Sequence, residues 1–288
     1  MRTCAAREEG GGGPYVIFPN EFPRAAAMNE DDSARERAAY LGKKTRAYLV
    51  HVYTASGVAF AFLAARDIAL EREAFWVFVW LIVAGVIDAT DGPLARRWNV
   101  KTRAPRIGGD VIDDIVDYLT FTFVPLFLVW RQEWLPPPEA LWIILAMVVS
   151  LLGFANTAAK QTKDGFFRGF PSYWNIVAFY VGLWATNYPW GATASLIAVL
   201  VLAALTLAPV RFIYPNRAPP PWRGIVIWGA VGWMGLLLVM LMSYPDLSGW
   251  AAWGLMPLSL VYPAFYFGLS FYLDVQSRRE PGDPGGAT

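Results

Sequence analysis

The 288-residue chain has one cysteine, one histidine and few charged residues, which make up 16% of its length. Because Cys4 is the only cysteine, no disulfide can form within the chain. Soluble proteins carry roughly 25% charged residues, so the composition disfavours a water-soluble globular domain. The net charge of +1 also disfavours a nucleic-acid-binding protein, which would present a strongly basic face.

Apolar sequence takes the place of the missing charge and accounts for 56% of the residues. Eight apolar segments approach the ~20 residues that a helix needs to cross a bilayer. They comprise residues 47–65, 75–90, 111–130, 140–158, 172–186, 190–209, 225–242 and 250–273. We therefore predict an all-α fold, a polytopic integral membrane helical bundle of about eight transmembrane helices.

The basic residues predict the orientation of these spans, because lysine and arginine are retained on the cytoplasmic side. If both termini are cytoplasmic, 21 of the 24 Lys and Arg residues fall in inward-facing segments. The other three, Arg66, Arg72 and Arg131, fall in outward loops. The chain is therefore predicted to place its N- and C-termini in the cytoplasm.

The ends of the chain differ in composition from its apolar centre. Residues 1–45 are polar and glycine-rich, without the apolar core of a signal peptide. We predict that they form a disordered, juxtamembrane tail, with a short surface helix over residues 31–46. Residues 46–274 form the predicted membrane domain, and residues 275–288 a disordered C-terminal tail.

Four aspartates lie where two neighbouring spans meet the same membrane boundary. Asp88 and Asp91 are three residues apart and share one face of a helix, and Asp113 and Asp117 are four apart and share a face of the next. Carboxylates gathered in this way repel one another unless they are protonated or neutralised. Because oxygen-only ligand sets suit hard divalent cations, the sequence predicts a Mg²⁺ or Mn²⁺ site and disfavours zinc.

Two other interpretations of these acids exist. In the plainer one they form solvated helix ends and pair with nearby basic side chains, which are Arg96, Arg97, Lys101, Arg103 and Arg106. Four acids at facing spacings near apolar spans favour a functional site over this interpretation, because charge there is costly. A cation transporter would use the same carboxylates, but such sites lie near the midplane between related repeats, and the sequence shows no repeat.

Small residues and one arginine accompany the aspartates. Gly92 and Gly109 leave room for a nucleotide or its phosphates to approach the backbone, and Ala95 is also small. Arg96 lies about one turn beyond Asp91 and can offer a bidentate guanidinium to a diphosphate. A helix C-cap is the alternative interpretation of Gly92.

Together these positions resemble the signature of the CDP-alcohol phosphotransferases, D-x2-D-G-x2-A-R…G-x3-D-x3-D. All eight fixed positions match, at Asp88, Asp91, Gly92, Ala95, Arg96, Gly109, Asp113 and Asp117. A gap of 12 residues separates Arg96 from Gly109, longer than in most of the family. This gap and the later segment FFRGFPSYWN resemble one subgroup, the bacterial phosphatidylcholine synthases.

The resemblance implies a reaction and its substrates. The phosphatidyl group of CDP-diacylglycerol would be transferred to choline, giving phosphatidylcholine and CMP. Serine, inositol phosphate and glycerol phosphate remain alternative acceptors. The resemblance also implies the bacterial inner membrane, with the active site facing the cytoplasm, and it is compatible with a homodimer.

The resemblance further implies roles for the motif residues. Two divalent ions, Mn²⁺ or Mg²⁺, would be held by Asp88, Asp91, Asp113 and Asp117. Asp117 would lie closest to the acceptor hydroxyl as a ligand or general base, with Asp113 as the second catalytic residue. The CDP position would be lined by Gly92, Ala95, Arg96 and Gly109.

A quaternary ammonium donates no hydrogen bond and is usually held by aromatic faces. The aromatic candidates on the predicted cytoplasmic side are Tyr118, Phe170, Tyr173 and Trp174, and the basic candidates for lipid headgroups are Lys163, Arg168 and Arg211. Each aromatic has packing or an interfacial position as its alternative, because the chain holds many such residues. His51 is expected to pack or hydrogen-bond rather than to catalyse.

Overall fold

The computed structural model describes residues 30–156, 166–214, 218–248 and 254–279. Helices dominate these residues. They are α1 (Glu30–Ala55), α2 (Gly57–Ala69), α3 (Ala74–Arg97), α4 (Val100–Arg103), α5 (Gly109–Asp117), α6 (Val124–Arg131), α7 (Glu139–Ala155), α8 (Trp174–Asn187), α9 (Gly191–Leu207), α10 (Trp222–Leu241) and α11 (Met256–Arg279). The described part of each of the eight predicted apolar segments falls mainly on one of these helices or on a run of them.

Some of these helices are long enough to span a membrane. Within the described ranges, four helices are long and apolar enough to cross a membrane, at residues 34–69, 74–97, 222–241 and 256–277. The helices α7 and α9 are apolar but shorter. The protein is therefore a helical membrane protein.

The first helix is longer than the short surface helix predicted over residues 31–46. Helix α1 starts at Glu30 and continues to Ala55 without a separate surface helix. Alanine, arginine and glutamate are good helix formers, which explains why the polar segment continues directly into the apolar one. Residues 1–29, and the predicted C-terminal tail from residue 280 onward, lie outside the described residues.

The third apolar segment, residues 111–130, changes its helical geometry just after Asp117. A π-helical turn, Tyr118–Phe123, separates α5 from α6. Pro125 lies in the first turn of α6, where a missing backbone N–H is tolerated. Such π-helical turns are rare and occur frequently at functional sites.

The close approach of α2 and α5 positions the start of this third apolar segment. A β-carbon on Gly57, the first residue of α2, would lie 2.5 Å from Cγ1 of Val116. Only glycine leaves this space, so the beginning of α2 contacts α5 between Asp113 and Asp117. At the other end of α2, the buried Asp67 accepts hydrogen bonds from Arg66 and from Nε1 of Trp80, at 2.8 Å for the indole.

A short antiparallel ribbon is an exception to the predicted all-α fold. Strand β1 (Phe166–Arg168) pairs with β2 (Arg211–Ile213), and Phe167 lies opposite Phe212. Arg211 in β2 donates to Asp274 of α11 and lies 5.3 Å above the ring of Phe166. The three-residue strands are too short for a period-2 pattern to reveal them in the sequence.

Candidate active site

The structure brings three of the four predicted aspartates together at one point. Asp88 and Asp91 come from α3 and Asp113 from α5, and one carboxylate oxygen of each lies within 4.8 Å of the others. Asp91 is 6% exposed. Three carboxylates at this separation offer only oxygen ligands, so the group fits a hard divalent cation such as Mg²⁺ or Mn²⁺.

The fourth aspartate lies beside this group. Asp117 interacts with Asp88, and the two side chains line one cavity. We call Asp88, Asp91, Asp113 and Asp117 the acidic cluster. Its four carboxylates concentrate the negative charge that a metal site requires.

Two basic residues of the plainer interpretation have other partners. Lys101 pairs with the exposed Asp110 at 3.1 Å rather than with the acidic cluster. Arg103 donates to the backbone oxygen of Trp98 at 3.2 Å. Pairing with these two side chains therefore does not account for the convergence of four acids.

On one side of the acidic cluster lies a cavity of about 260 Å³, which we call the nucleotide cavity after the role proposed for it below. It contains Asp91 and Asp113 together with three small motif residues, Gly92, Ala95 and Gly109. Its further lining residues include Val50, His51, Thr54, Lys101, Pro105, Ile107 and Asp110. The mixture of small residues, carboxylates and one lysine suits a polar ligand that approaches the backbone closely.

Arg96 lies beside this cavity rather than in its lining. One of its guanidinium nitrogens, Nη1, is 3.4 Å from the position that a β-carbon on Gly92 would take. The arginine therefore lies over the glycine of its own motif. His51 is buried and packs against Gly109 in the lining, a contact that the sequence predicted only as general packing.

On the other side of the acidic cluster lies a cavity of about 220 Å³, which we call the acceptor cavity after the role proposed for it below. Asp88 and Asp117 line it together with the predicted residues Phe170, Tyr173 and Arg168. Four further aromatic residues line it, Phe121, Phe154, Phe167 and Tyr214. Phe167 belongs to the segment FFRGFPSYWN that the sequence had already indicated, whereas Phe121, Phe154 and Tyr214 were missed. Of these three, only Phe121 carried a signal, because it lies four residues after Asp117 and thus near the same helical face.

Among the described residues, the structure does not bring Trp174, Tyr118 or Arg211 to this cavity. Trp174 is fully buried and donates its indole N–H to Oγ of Ser150 at 2.6 Å. The hydroxyl of Tyr118 donates to the backbone oxygen of Met147, and Arg211 is held by Asp274. Lys163 lies outside the described residues.

Comparisons with known proteins agree with this geometry. The family model for CDP-alcohol phosphatidyltransferase matches residues 47–235, which include the acidic cluster. A phosphatidylcholine synthase of Pseudomonas aeruginosa is 40% identical over 175 residues, 60% of this chain and 71% of that protein.

Two further relatives carry the same name. The phosphatidylcholine synthase of Bradyrhizobium diazoefficiens is 40% identical, over 67% of this chain and 70% of its own. That of Mesorhizobium japonicum is 32% identical, over 78% and 84%. No solved structure matches the chain. Because the family model and these relatives match most of the chain, the chain belongs to the CDP-alcohol phosphatidyltransferase family.

Proposed function

We propose that this protein transfers the phosphatidyl group of CDP-diacylglycerol to choline, forming phosphatidylcholine and releasing CMP. The observation that carries the proposal is the acidic cluster between two cavities of different character. One cavity has small motif residues suited to a nucleotide diphosphate, and the other has aromatic faces suited to a quaternary ammonium. The relatives named phosphatidylcholine synthase support choline as the acceptor.

The acidic cluster is proposed to hold two divalent ions, Mn²⁺ or Mg²⁺, through Asp88, Asp91, Asp113 and Asp117. When bound, such ions neutralise the charge of the diphosphate and make its phosphorus easier to attack. The protein contributes the positions of the carboxylates, since α3 and α5 hold them before any ligand arrives. Electrostatic stabilisation of this kind is effective because the groups need no rearrangement during the reaction.

The CDP moiety is assigned to the nucleotide cavity. Gly92, Ala95 and Gly109 allow the sugar and phosphates to lie against the backbone. Arg96 lies next to Gly92 and is proposed to contact the diphosphate with its guanidinium. Binding there leaves the bond to be broken next to Asp91 and Asp113.

Choline is assigned to the acceptor cavity. Asp117 takes the proton of the choline hydroxyl as its oxygen forms a bond to the phosphorus that carries diacylglycerol. The bond from this phosphorus to the CMP oxygen breaks, and CMP leaves with the electron pair. Tyr173 and Phe121 face the trimethylammonium group, and Phe170 and Arg168 contribute to the site of the lipid headgroup.

The site is proposed to face the cytoplasm in a bacterial inner membrane, with eight spans and both termini inside. The acidic cluster lies at the end of α3 and in α5, next to the connection that carries Arg97, Lys101, Arg103 and Arg106. Basic residues of this density mark the cytoplasmic side. Choline and CMP would therefore exchange with the cytoplasm while the acyl chains stay in the bilayer.

A reconstitution assay with purified protein tests this function. The protein in mixed micelles with CDP-diacylglycerol, labelled choline and Mn²⁺ should form labelled phosphatidylcholine and an equal amount of CMP. Parallel reactions receive serine, inositol phosphate or glycerol phosphate in place of choline. A product with one of these acceptors but none with choline would overturn the acceptor assignment.

A further inference from the structure

A third cavity, of about 270 Å³, lies among α8, α9, α10 and α11, and we call it the apolar cavity. Its lining includes Val177 and Tyr180 from α8, Leu202 from α9, Trp233 from α10 and Phe267 from α11. All of the α11 residues lie beyond the residues that the family model matches, which end at 235. The apolar cavity is therefore not built from the motif-bearing helices.

The polar atoms of four of its aromatic residues, Tyr180, Trp233, Tyr262 and Tyr266, are already hydrogen-bonded. The hydroxyl of Tyr180 donates to the backbone oxygen of Ser259 and accepts the indole N–H of Trp233, both at 3.1 Å. Tyr262 donates to the backbone oxygen of Val226 at 2.9 Å, and Tyr266 to that of Ile213 at 2.7 Å. These residues turn ring carbons toward the cavity, so it suits a hydrocarbon rather than a nucleotide or a hydrophilic acceptor.

The apolar cavity adjoins both the active site and the bilayer side of the protein. Phe170, Pro171 and Tyr173 line it and also line the acceptor cavity, where Asp88 and Asp117 lie. Trp233 and Tyr262 line both the apolar cavity and a groove of about 360 Å³ between α10 and α11. That groove is bordered by exposed apolar side chains, Ile225, Leu258 and Val261.

From these shared linings we propose that the apolar cavity binds one fatty acyl chain of the phosphatidyl group, which enters from the bilayer between α10 and α11, past Trp233 and Tyr262. The inference rests on the proposed phosphatidyl transfer for the identity of the lipid. An acyl chain seated there leads from the membrane to the shared wall at Tyr173, and its glycerol phosphate then lies at the acceptor cavity. The volume is close to the lower end of ligand pockets, roughly 300 Å³, which suits one chain rather than two.

Two alanines allow the cavity to be filled without touching the acidic cluster. Ala198 of α9 and Ala230 of α10 line the apolar cavity, and leucine at either position would occupy part of it. Ala204, also on α9, is exposed and lines none of the cavities described above, so Ala204→Leu is the matched control. Ala198→Leu and Ala230→Leu should lower the ratio of kcat/KM for a dipalmitoyl donor to that for a dioctanoyl donor by at least about fivefold, the lower end of the cost of overpacking.

Ala204→Leu should leave this ratio unchanged, and the KM for choline should stay constant in all three variants. An unchanged ratio in folded Ala198→Leu and Ala230→Leu proteins would overturn the proposal. If the wild-type protein formed no phosphatidylcholine with either donor, the proposed function itself would be overturned.

A binding measurement tests the cavity without any turnover. Phosphatidylcholine with a diazirine near the end of one acyl chain is irradiated with the wild-type protein, and the labelled peptides are identified by mass spectrometry. Labels at Ala198, Leu202 or Leu260 are expected, with a loss of this label in Ala230→Leu. Labels confined to the outward-facing Ile197 and Val201 would contradict the proposal, because they report bulk lipid around the protein.

Discussion

The imidazole of His51 lies directly against Gly109, where a β-carbon would be 2.9 Å from Cε1 and 3.2 Å from Nδ1 of the ring. Both residues line the nucleotide cavity, one from α1 and the other from the start of α5. The glycine of the motif is therefore required by its neighbour in the fold as well as by space for a ligand.

We expect Gly109→Ala to weaken nucleotide binding, because the added methyl group displaces the His51 ring. The affinity for CMP should fall at least about fivefold, the lower end of overpacking costs. The double variant Gly109→Ala/His51→Ala should recover part of this loss. Isothermal titration with CMP measures both, and Gly85→Ala on α3, with no atom within 4 Å of the added carbon, is the control. Equal CMP affinity of the wild type and Gly109→Ala would contradict the prediction.

Asp91→Asn and Asp113→Asn should each reduce turnover by about 100-fold or more, since each removes a preorganised charge from the acidic cluster. Mn²⁺ should raise the thermal unfolding midpoint of the wild type but not of these variants, because a ligand stabilises only the state that binds it. Asp246→Asn, an exposed aspartate between α10 and α11, should behave as the wild type. Near-normal turnover of either variant would show that the substituted aspartate does not have the proposed metal-binding role.

Tyr173→Leu should raise the KM for choline about tenfold and change the KM for CDP-diacylglycerol less, because an aromatic face is lost from the acceptor cavity. Tyr173→Phe retains the ring and should stay close to the wild type. Initial rates at varied choline and fixed donor measure the effect. If leucine and phenylalanine have equal effects, the ring does not bind the ammonium group.

Trp174→Ala should destabilise the fold by about 3–5 kcal/mol, because the indole is fully buried and its N–H bonds to Ser150. Trp228→Ala on α10, where the side chain is 75% exposed, should change stability by less than about 0.5 kcal/mol. Thermal and denaturant unfolding in detergent compare the two variants. A stable Trp174→Ala protein with a raised choline KM would instead place this residue in the acceptor site.

The proposed orientation can be measured with single cysteines, since Cys4→Ala removes the only native one. A cysteine introduced at the exposed Thr102 should resist a membrane-impermeant maleimide in intact spheroplasts, and one at the exposed Gln132 should react. The reverse pattern would invert the topology. Labelling after permeabilisation provides the control for reactivity of both sites.

Local pattern was enough to predict the helices and the convergence of the aspartates. The apolar segments exceed the length of a buried strand, and the spacings of Asp88 with Asp91 and of Asp113 with Asp117 fix which side chains share a helical face. The motif residues Gly92, Ala95 and Gly109 follow the aspartates into the nucleotide cavity because they lie on the same helices.

Long-range contacts decided what the sequence could not predict. Arg211 was a headgroup candidate, but its partner Asp274 lies 63 residues away along the chain. Trp174 and Tyr173 are adjacent, and only tertiary packing turns the first into the core and the second toward the acceptor cavity. Tyr214 enters that cavity through the β-ribbon, whose three-residue strands have no sequence signature.

The π-helical turn at Tyr118–Phe123 has a consequence for how one span can serve two purposes. In an α-helix each residue advances the side chain by about 100°, so an altered turn changes the phase between the segments before and after it. The segment before the turn presents Asp113 and Asp117 to α3, whereas the segment after it buries Val124 and Leu128 in the core. The turn thus lets the segment before it direct carboxylates toward α3 while the segment after it directs apolar side chains into the core. A regular α-helix of the same sequence could not set these two directions independently.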